Sequence, residues 1–172
     1  MPATRILLAP GASGNPRQLS KHASGLEARG FSIELVTLPR AKAEHAIPAY
    51  RAAIGSDAAS VVIGGQSFGG RVASLLAPDL TPAALVLFSY PLHAPGRDDA
   101  WVERTAHWPR IGCPVLLISG ESDPFARIDL LRKAVRLLPH ATLITYPRVG
   151  HGVGPVLDTA LDEVAEFIGA NT

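Results

Sequence analysis

Ser67 stands in the segment Gly65-Gln66-Ser67-Phe68-Gly69, which has the pattern G-x-S-x-G. The segment follows the apolar run 60–64 and precedes residues with helical spacing, so it connects a predicted strand to a predicted helix. A sharp turn in that position exposes a serine hydroxyl, and its glycines leave room for the neighbouring strand and helix. The helix N-terminus beneath the serine favours negative charge, and the Phe68 N–H is available to an oxyanion. We therefore predict that Ser67 is a nucleophile; the alternative is a small residue in a Gly-rich turn.

A serine nucleophile needs a base that takes its proton and an acid that orients the base. Two further apolar runs are each followed by such a residue: Asp123 comes after 114–119, and His151 comes after 141–146. Ligands collect at the carboxyl edge of a parallel sheet, so we expect both residues beside Ser67. The order serine, acid, histidine is the one found with this type of serine turn. We predict Asp123 as the acid and His151 as the base.

Both assignments have an alternative. Asp123 precedes a proline and a predicted helix, where an aspartate commonly caps the helix, and Glu121 is the reserve candidate for the acid. His151 lies between two glycines, and the alternative to its role as the base is that it is a solvated loop residue. We expect four other histidines, which have no matching partner, at the surface: His22, His45, His107 and His140.

An oxyanion hole needs a second backbone donor besides the Phe68 N–H. The first apolar run, 5–9, ends in the loop 10–14, from which we choose the Ala12 N–H, with Ser13 next. The same loop does not fit a phosphate site. A P-loop would continue with Gly, Lys and Ser or Thr, where this chain has Pro16-Arg17-Gln18.

No cofactor and no metal site is predicted. A dinucleotide-binding pattern that begins at Gly64 fails at Gln66, and no group of His, Asp and Glu has the spacing of metal ligands. Cys113 is the only cysteine, which excludes an internal disulfide framework and a Cys-rich zinc site. It precedes a proline at the edge of an apolar run, so we expect a buried, inert thiol.

Length and composition fit one globular domain over 1–172. Of the 172 residues, 47% are hydrophobic, which is enough apolar side chain to bury a core. Only 18% are charged, which is less than a disordered chain typically has. Lys and Arg number 16 against 15 Asp and Glu, so no excess positive charge is available for nucleic acid. No apolar stretch approaches the ~20 residues that span a bilayer, and the first apolar run is too short for a signal peptide. We expect a soluble, cytoplasmic protein that binds neither nucleic acid nor membrane.

Short apolar runs alternate with segments of helical spacing along the chain. Four runs are apolar at consecutive positions, which indicates strands covered on both faces, as in a parallel sheet between helices. The predicted strands are 5–9, 32–38, 60–64, 83–88, 114–119 and 141–146. The predicted helices are 16–29, 42–55 (with Pro48 shifting or breaking its start), 68–77, 126–138 and a final one from 155 to about 169. The fold class is α/β, a three-layer α/β/α sandwich of about six parallel strands. We expect the strand before Ser67 to be central, and the first and last strands to lie nearer the edges.

Residues 89–113 form the longest connection without a clear period, and they contain both tryptophans. A loop of that length usually has a function. We predict that a substrate pocket is walled by residues of this loop and of the serine turn; besides Phe68 they are Gln66, His93, Trp101 and Trp108. The alternative is that the aromatic residues pack the loop onto the sheet. For Arg71 we expect a solvated helix face, with contact to an anionic group as the alternative.

These motifs resemble the α/β-hydrolase fold, and specifically its small, lidless, dienelactone-hydrolase-like branch. The resemblance covers nearly the whole chain through segments 65–70, 120–125 and 150–151, and segment 90–96 is similar to a stretch of the testis-expressed-protein-thirty-like group. It implies a minimal fold without a cap domain and a Ser67–Asp123–His151 triad. Dienelactone hydrolases proper have a cysteine nucleophile, so their substrate is not carried over. Many relatives have His-Gly where this chain has Pro10-Gly11, which affects the oxyanion loop.

The function we predict is hydrolysis of a small acyl ester or thioester through an acyl-enzyme. Two other classes are compatible with the fold: a binding or scaffold protein without activity, and an acyltransferase that uses the same triad. A complete set of nucleophile, base and acid favours the enzyme. The predicted partner is a small-molecule acyl substrate, and the sequence makes no prediction of oligomeric state.

Overall fold

Six parallel strands make up the sheet in the computed structural model, which describes residues 2–172. The strands are β1 (Arg5–Ala9), β2 (Ser32–Leu35), β3 (Val62–Gln66), β4 (Ala84–Phe88), β5 (Val115–Gly120) and β6 (Ala141–Tyr146). Their order across the sheet is β2-β1-β3-β4-β5-β6, and every neighbouring pair is parallel. The predicted α/β class and the central position of the strand before Ser67 are confirmed.

The first strand lies one position in from an edge of the sheet. β6 is an edge strand as predicted, but β1 lies between β2 and β3, and the four-residue β2 forms the other edge. The burial of the two strands explains this: β1 is buried from its second residue onward, whereas no residue of β2 is fully buried. β2 also ends three residues earlier than the predicted run.

Helices cover both faces of the sheet. Alternate strand residues point to opposite faces, so Leu7 and Ile63 pack with α2 (Ala43–Ile54), α3 (Phe68–Leu80) and α5 (Ile128–Ala134). On the opposite face, Ile6 and Val62 pack with α1 (Ser20–Glu27) and α6 (Leu157–Asn171). The three-layer α/β/α sandwich is therefore confirmed.

Several helix boundaries differ from the prediction. α2 continues through Pro48, whose missing N–H removes only one bond of the helix. α5 is shorter than predicted, because its last turn is a 3₁₀ helix over Val135–Leu137. Residues 89–113 add only the four-residue helix α4 (Trp101–Arg104) and two 3₁₀ turns, so this loop does not build a cap domain over the sheet.

The side chains of Tyr50 and Cys113 are both buried. The Tyr50 hydroxyl accepts the Gly64 N–H at 3.0 Å and lies 2.9 Å from the Leu7 carbonyl oxygen, so α2 is tied to both β1 and β3. Burial raises the pKa of Tyr50, which keeps this hydroxyl protonated. Cys113 is buried as predicted, and burial raises the pKa of its thiol to about 11.

Two histidines predicted at the surface are buried. The His22 ring packs edge-on against Phe88 at 5.1 Å, and neither ring nitrogen has a hydrogen-bond partner among residues 2–172. His107 lies with its Nε2 2.9 Å from the Ser74 hydroxyl. Burial lowers the pKa of His22 to about 4; burial, then the charges of Arg71 and Arg110, lower that of His107 to about 4. Both rings are therefore neutral in the folded protein near pH 7.

These histidines make the stability of the fold depend on pH. An unfolded histidine takes up a proton below its ordinary pKa of 6.5, whereas each buried ring stays neutral down to about pH 4. The free energy of unfolding should therefore fall as the pH drops through this window, by roughly 3 kcal/mol for each histidine. Urea unfolding at about pH 7.5 and about pH 4.5 measures the loss.

His22→Leu should remove about half of the histidine-dependent part of that loss. The exposed His45 offers a matched control, because His45→Leu removes a histidine whose ring is not buried. An acid-induced loss of stability that is the same in the native protein and in His22→Leu would contradict the assignment.

Candidate active site

Ser67 occupies the turn between β3 and α3 and has a strained backbone. Its φ of 49° and ψ of −115° lie in a region that side-chain-bearing residues rarely adopt. The Ser67 N–H donates to the Phe88 carbonyl at 2.8 Å, and the Ser67 carbonyl accepts the Arg71 N–H at 3.0 Å. The turn is thus held by β4 on one side and by the first turn of α3 on the other, and the serine hydroxyl projects from the sheet edge.

The glycines around Ser67 are required by close backbone approach. A Cβ atom at Gly69 would lie 2.2 Å from the Ala9 carbonyl oxygen, and one at Gly65 would lie 2.5 Å from the same atom. Both distances are far inside van der Waals contact. The pattern G-x-S-x-G therefore lets α3 start directly against the end of β1.

His151 connects the serine to the acid. Its Nε2 lies 2.9 Å from the Ser67 Oγ, and its Nδ1 lies 2.8 Å from the Asp123 Oδ2. Since a carboxylate only accepts, the Nδ1 carries the proton and donates it to Asp123. The Nε2 is then free to accept the Ser67 hydroxyl proton. The Phe125 ring lies 4.5 Å from the imidazole and covers one of its faces.

Asp123 has no exposed side-chain surface. Its second oxygen, Oδ1, accepts the Phe125 N–H at 2.8 Å, and α5 begins only at Ile128, so Asp123 does not cap that helix. The reserve candidate points elsewhere: the Glu121 carboxylate accepts the Thr145 hydroxyl at 2.7 Å and lies 3.3 Å from the Arg132 guanidinium. Of the two carboxylates, only Asp123 contacts His151.

The loops after β5 and β6 are fixed to each other. The Ser122 N–H donates to the Val149 carbonyl at 2.9 Å, and a Cβ atom at Gly120 would lie 2.1 Å from the same oxygen. The loop that bears His151 therefore packs directly on the loop that bears Asp123. This contact fixes the position of Asp123 relative to His151.

A cavity of about 500 Å³ opens in front of Ser67 and His151. Predicted residues that line it are Gln66, Phe68, Ala12 and Ser13. Phe68 is the first residue of α3, and the first N–H groups of a helix have no partner within the helix. The loop after β1 thus faces the start of α3 across the serine, as an oxyanion hole requires.

Three other predicted pocket residues lie outside this cavity. Trp108 is fully buried and packs on Tyr90, and Trp101 lies beneath the Lys133 ammonium. His93 is buried; its N–H donates to the Phe125 carbonyl, and its Nε2 accepts the Arg127 N–H. The Trp108 ring is buried and the Trp101 ring partly buried, because both attach the 89–113 loop to the core, and His93 supports the loop after β5.

The cavity contains residues that the sequence did not assign to it. Arg71 lines it, against the expectation of a solvated helix face, and so do Arg104 and Phe125. Arg71 follows Ser67 by four residues, so it lies in the first turn of α3, where its N–H donates to the Ser67 carbonyl. Arg104 lies in the connection 89–113, which has no helical or strand periodicity, so the sequence did not predict where its side chain points.

Other classes of site were sought over the same residues. Residues 2–172 hold no group of three His, Cys, Asp or Glu side chains arranged to bind a metal ion. None of their helices combines the length and the apolar character needed to cross a membrane.

The parallel sheet and the serine turn are those of the α/β hydrolases. A family profile described as an alpha/beta hydrolase domain matches residues 38–165, more than half of the chain, and the chain belongs to this family. A search of curated proteins finds no matching sequence.

Solved structures with the same fold include enzymes of several kinds. The monoacylglycerol lipase of Paleococcus ferrophilus is 14% identical with a TM-score of 0.82, over 99% of this chain and 97% of the lipase. Esterase 2 of Thermogutta terrifontis, solved phosphonylated by sarin, is 18% identical with a TM-score of 0.73, over 98% and 84%. A putative non-heme bromoperoxidase of Mycobacterium tuberculosis, BpoC, is 14% identical with a TM-score of 0.83, over 99% and 93%. At sequence identities this low, the structural similarity shows a shared fold and nothing further.

Proposed function

We propose that this protein is a serine hydrolase that cleaves a small acyl ester or thioester through an acyl-enzyme. The observation that carries the proposal is the continuous hydrogen-bonded chain from Ser67 through His151 to the buried Asp123, which opens onto a cavity. Membership of the alpha/beta hydrolase family supports the same reaction class.

The reaction begins with attack of the Ser67 Oγ on the substrate carbonyl carbon, while the hydroxyl proton passes to the His151 Nε2. The Asp123 carboxylate stabilises the imidazolium that forms. The Phe68 and Ala12 N–H groups bind the oxyanion of the tetrahedral intermediate. As the intermediate collapses, the bond to the leaving oxygen or sulfur breaks, and the imidazolium protonates the leaving group.

Water completes the cycle. His151 takes a proton from a water molecule that attacks the acyl-enzyme carbonyl. As the second tetrahedral intermediate collapses, its bond to the Ser67 Oγ breaks, and the His151 imidazolium returns the proton to that oxygen. The products are a carboxylic acid and an alcohol or thiol. Because the 89–113 loop adds no cap domain, the cavity is open and suits a small-molecule substrate. The lack of a cap also supports placing the chain in the small, lidless, dienelactone-hydrolase-like branch.

Labelling by a fluorophosphonate, followed by intact mass, tests for an activated serine. One adduct is expected on the native protein and none on Ser67→Ala. The chain offers a matched control in Ser74, whose hydroxyl lies 2.9 Å from His107 but is fully buried, with no carboxylate in hydrogen-bond contact with His107 among residues 2–172. Ser74→Ala should still take up one label, because a serine–histidine contact without acid and access does not activate the hydroxyl.

A folded native protein without an adduct would contradict the hydrolase and favour a binding or scaffold role. If the adduct forms, product analysis with a competing alcohol or amine separates hydrolysis from acyl transfer. Free acid as the main product in the presence of the competitor supports hydrolysis.

A further inference from the structure

The charged side chains that line the cavity are both arginines. Arg71 and Arg104 contribute to its wall, and no Asp or Glu among residues 2–172 lines it. A neutral ester needs no cationic wall. The placement of two guanidinium groups beside the candidate nucleophile therefore requires an explanation of its own.

Arg71 is held one helical turn beyond Ser67. Its Nη2 lies 3.5 Å from the carboxylate of the half-exposed Glu44, and its Nε is buried without a hydrogen-bond partner among residues 2–172. A guanidinium group has five N–H donors. The distant contact with Glu44 leaves most of them for a ligand.

Arg104 is fixed from two sides and lacks a carboxylate partner. Its carbonyl accepts the Tyr90 hydroxyl at 2.7 Å, and its Nη1 donates to the Pro91 carbonyl at 2.9 Å. No Asp or Glu of residues 2–172 lies within ion-pair distance of it. Burial and the nearby charge of Arg71 lower the pKa of Arg104, so the two cations repel each other across a partly buried site. An anion bound between them would relieve this repulsion.

We infer that the substrate carries a carboxylate group, which Arg71 and Arg104 bind at the end of the cavity away from the scissile carbonyl. This inference rests on the proposed function and names its substrate class: half-esters or half-thioesters of dicarboxylic acids. The two arginines and Glu44 together have one net positive charge, which matches a single carboxylate.

The geometry of α3 sets the spacing between the two substrate groups. Ser67 directly precedes α3 and Arg71 lies in its first turn, so their backbones are about 6 Å apart along the helix axis, and both side chains line the cavity. The carboxylate therefore lies several bonds from the carbonyl that Ser67 attacks. The half-ester of a six-carbon dicarboxylic acid, adipate, has a suitable length.

The test compares two 4-nitrophenyl esters of equal chain length, the adipate half-ester and the neutral hexanoate ester. Spontaneous hydrolysis is measured with Ser67→Ala protein and subtracted. The native protein should show a kcat/KM about ten- to a hundredfold higher for the adipate half-ester, the range expected of charge-assisted hydrogen bonds. Arg71→Gln and Arg104→Gln should each lower this ratio about tenfold.

Two further variants sharpen the result. Glu44→Gln removes the carboxylate that competes for Arg71 and should raise the ratio about twofold or more. Arg136→Gln removes one positive charge from an exposed position of the 3₁₀ turn after α5 and should leave the ratio unchanged.

The inference is overturned if the native protein cleaves both esters equally or prefers hexanoate, or if the preference survives in both arginine variants. Cleavage of hexanoate without a preference for adipate would remove the carboxylate site and keep the hydrolase. If neither ester is cleaved, the proposed function fails. Titration calorimetry then tests the carboxylate site separately, by measuring ligand binding without catalysis. Ser67→Ala protein should bind monomethyl adipate about tenfold more tightly than methyl hexanoate, and equal binding would overturn the inference.

Discussion

Ser67→Ala is expected to lower the kcat/KM for a small acyl ester by about 10⁴- to 10⁶-fold, down to the level left by substrate binding and the oxyanion hole. In the proposed mechanism the serine oxygen forms the acyl bond, and alanine has no replacement for it. His151→Ala should have an effect of the same size, because without the imidazole the hydroxyl keeps its proton. Steady-state hydrolysis of a 4-nitrophenyl ester measures both losses.

The double variant gives the stronger test. Nucleophile and base work as a unit, so Ser67→Ala combined with His151→Ala should be no slower than either single variant. Losses that multiply in the double variant would show that the two residues act independently. Thermal unfolding serves as the control, since neither truncation removes a buried apolar side chain.

Asp123→Asn is expected to lower the kcat/KM by about 10³- to 10⁴-fold while the protein stays folded. The amide oxygen can still accept the Phe125 N–H, which preserves the loop, but the amide NH₂ donates to the His151 Nδ1. The proton of the imidazole then moves to the Nε2, which can no longer accept the Ser67 proton. The loss should therefore appear mainly in kcat.

Glu121→Gln is the matched control, because it makes the same chemical change two residues away in the same loop. Glu121 contacts Thr145 and Arg132 and not His151, so the kcat/KM should stay within about threefold of the native value. A large loss in Glu121→Gln together with a small one in Asp123→Asn would reverse the assignment of the acid.

The sheet could be predicted because its strands carry their signal locally. Consecutive apolar residues, as in Leu85–Phe88, mark strands buried on both faces, and β4 and β5 are buried at every position. The positions of the candidate site residues could be predicted from the same apolar runs. In a parallel sheet the chain direction fixes which end of each strand faces the site, so Ser67, Asp123 and His151 were expected together.

What the sequence did not show depends on contacts between distant segments. His22 lies on the buried face of α1, three residues after Leu19, but its polar side chain favoured a surface position, and its ring is buried by packing on Phe88. Trp108 and Arg104 lie four residues apart in one irregular loop, yet one is buried in the core and the other lines the cavity. No periodicity distinguishes them, because the loop follows the shape of the sheet beneath it.

The separation of the site residues along the chain also determines when the site can exist. The contact between Ser67 and His151 joins positions 84 residues apart, and the one between Asp123 and His151 joins positions 28 apart. Contacts of such long range form late in folding, after the intervening strands have paired. During synthesis, a ribosome-bound chain presents the serine turn well before its base, so the growing polypeptide has no activated hydroxyl. Reaction of Ser67 with a fluorophosphonate would therefore report completed folding. Partly folded chains should not react with a reagent that requires an activated serine.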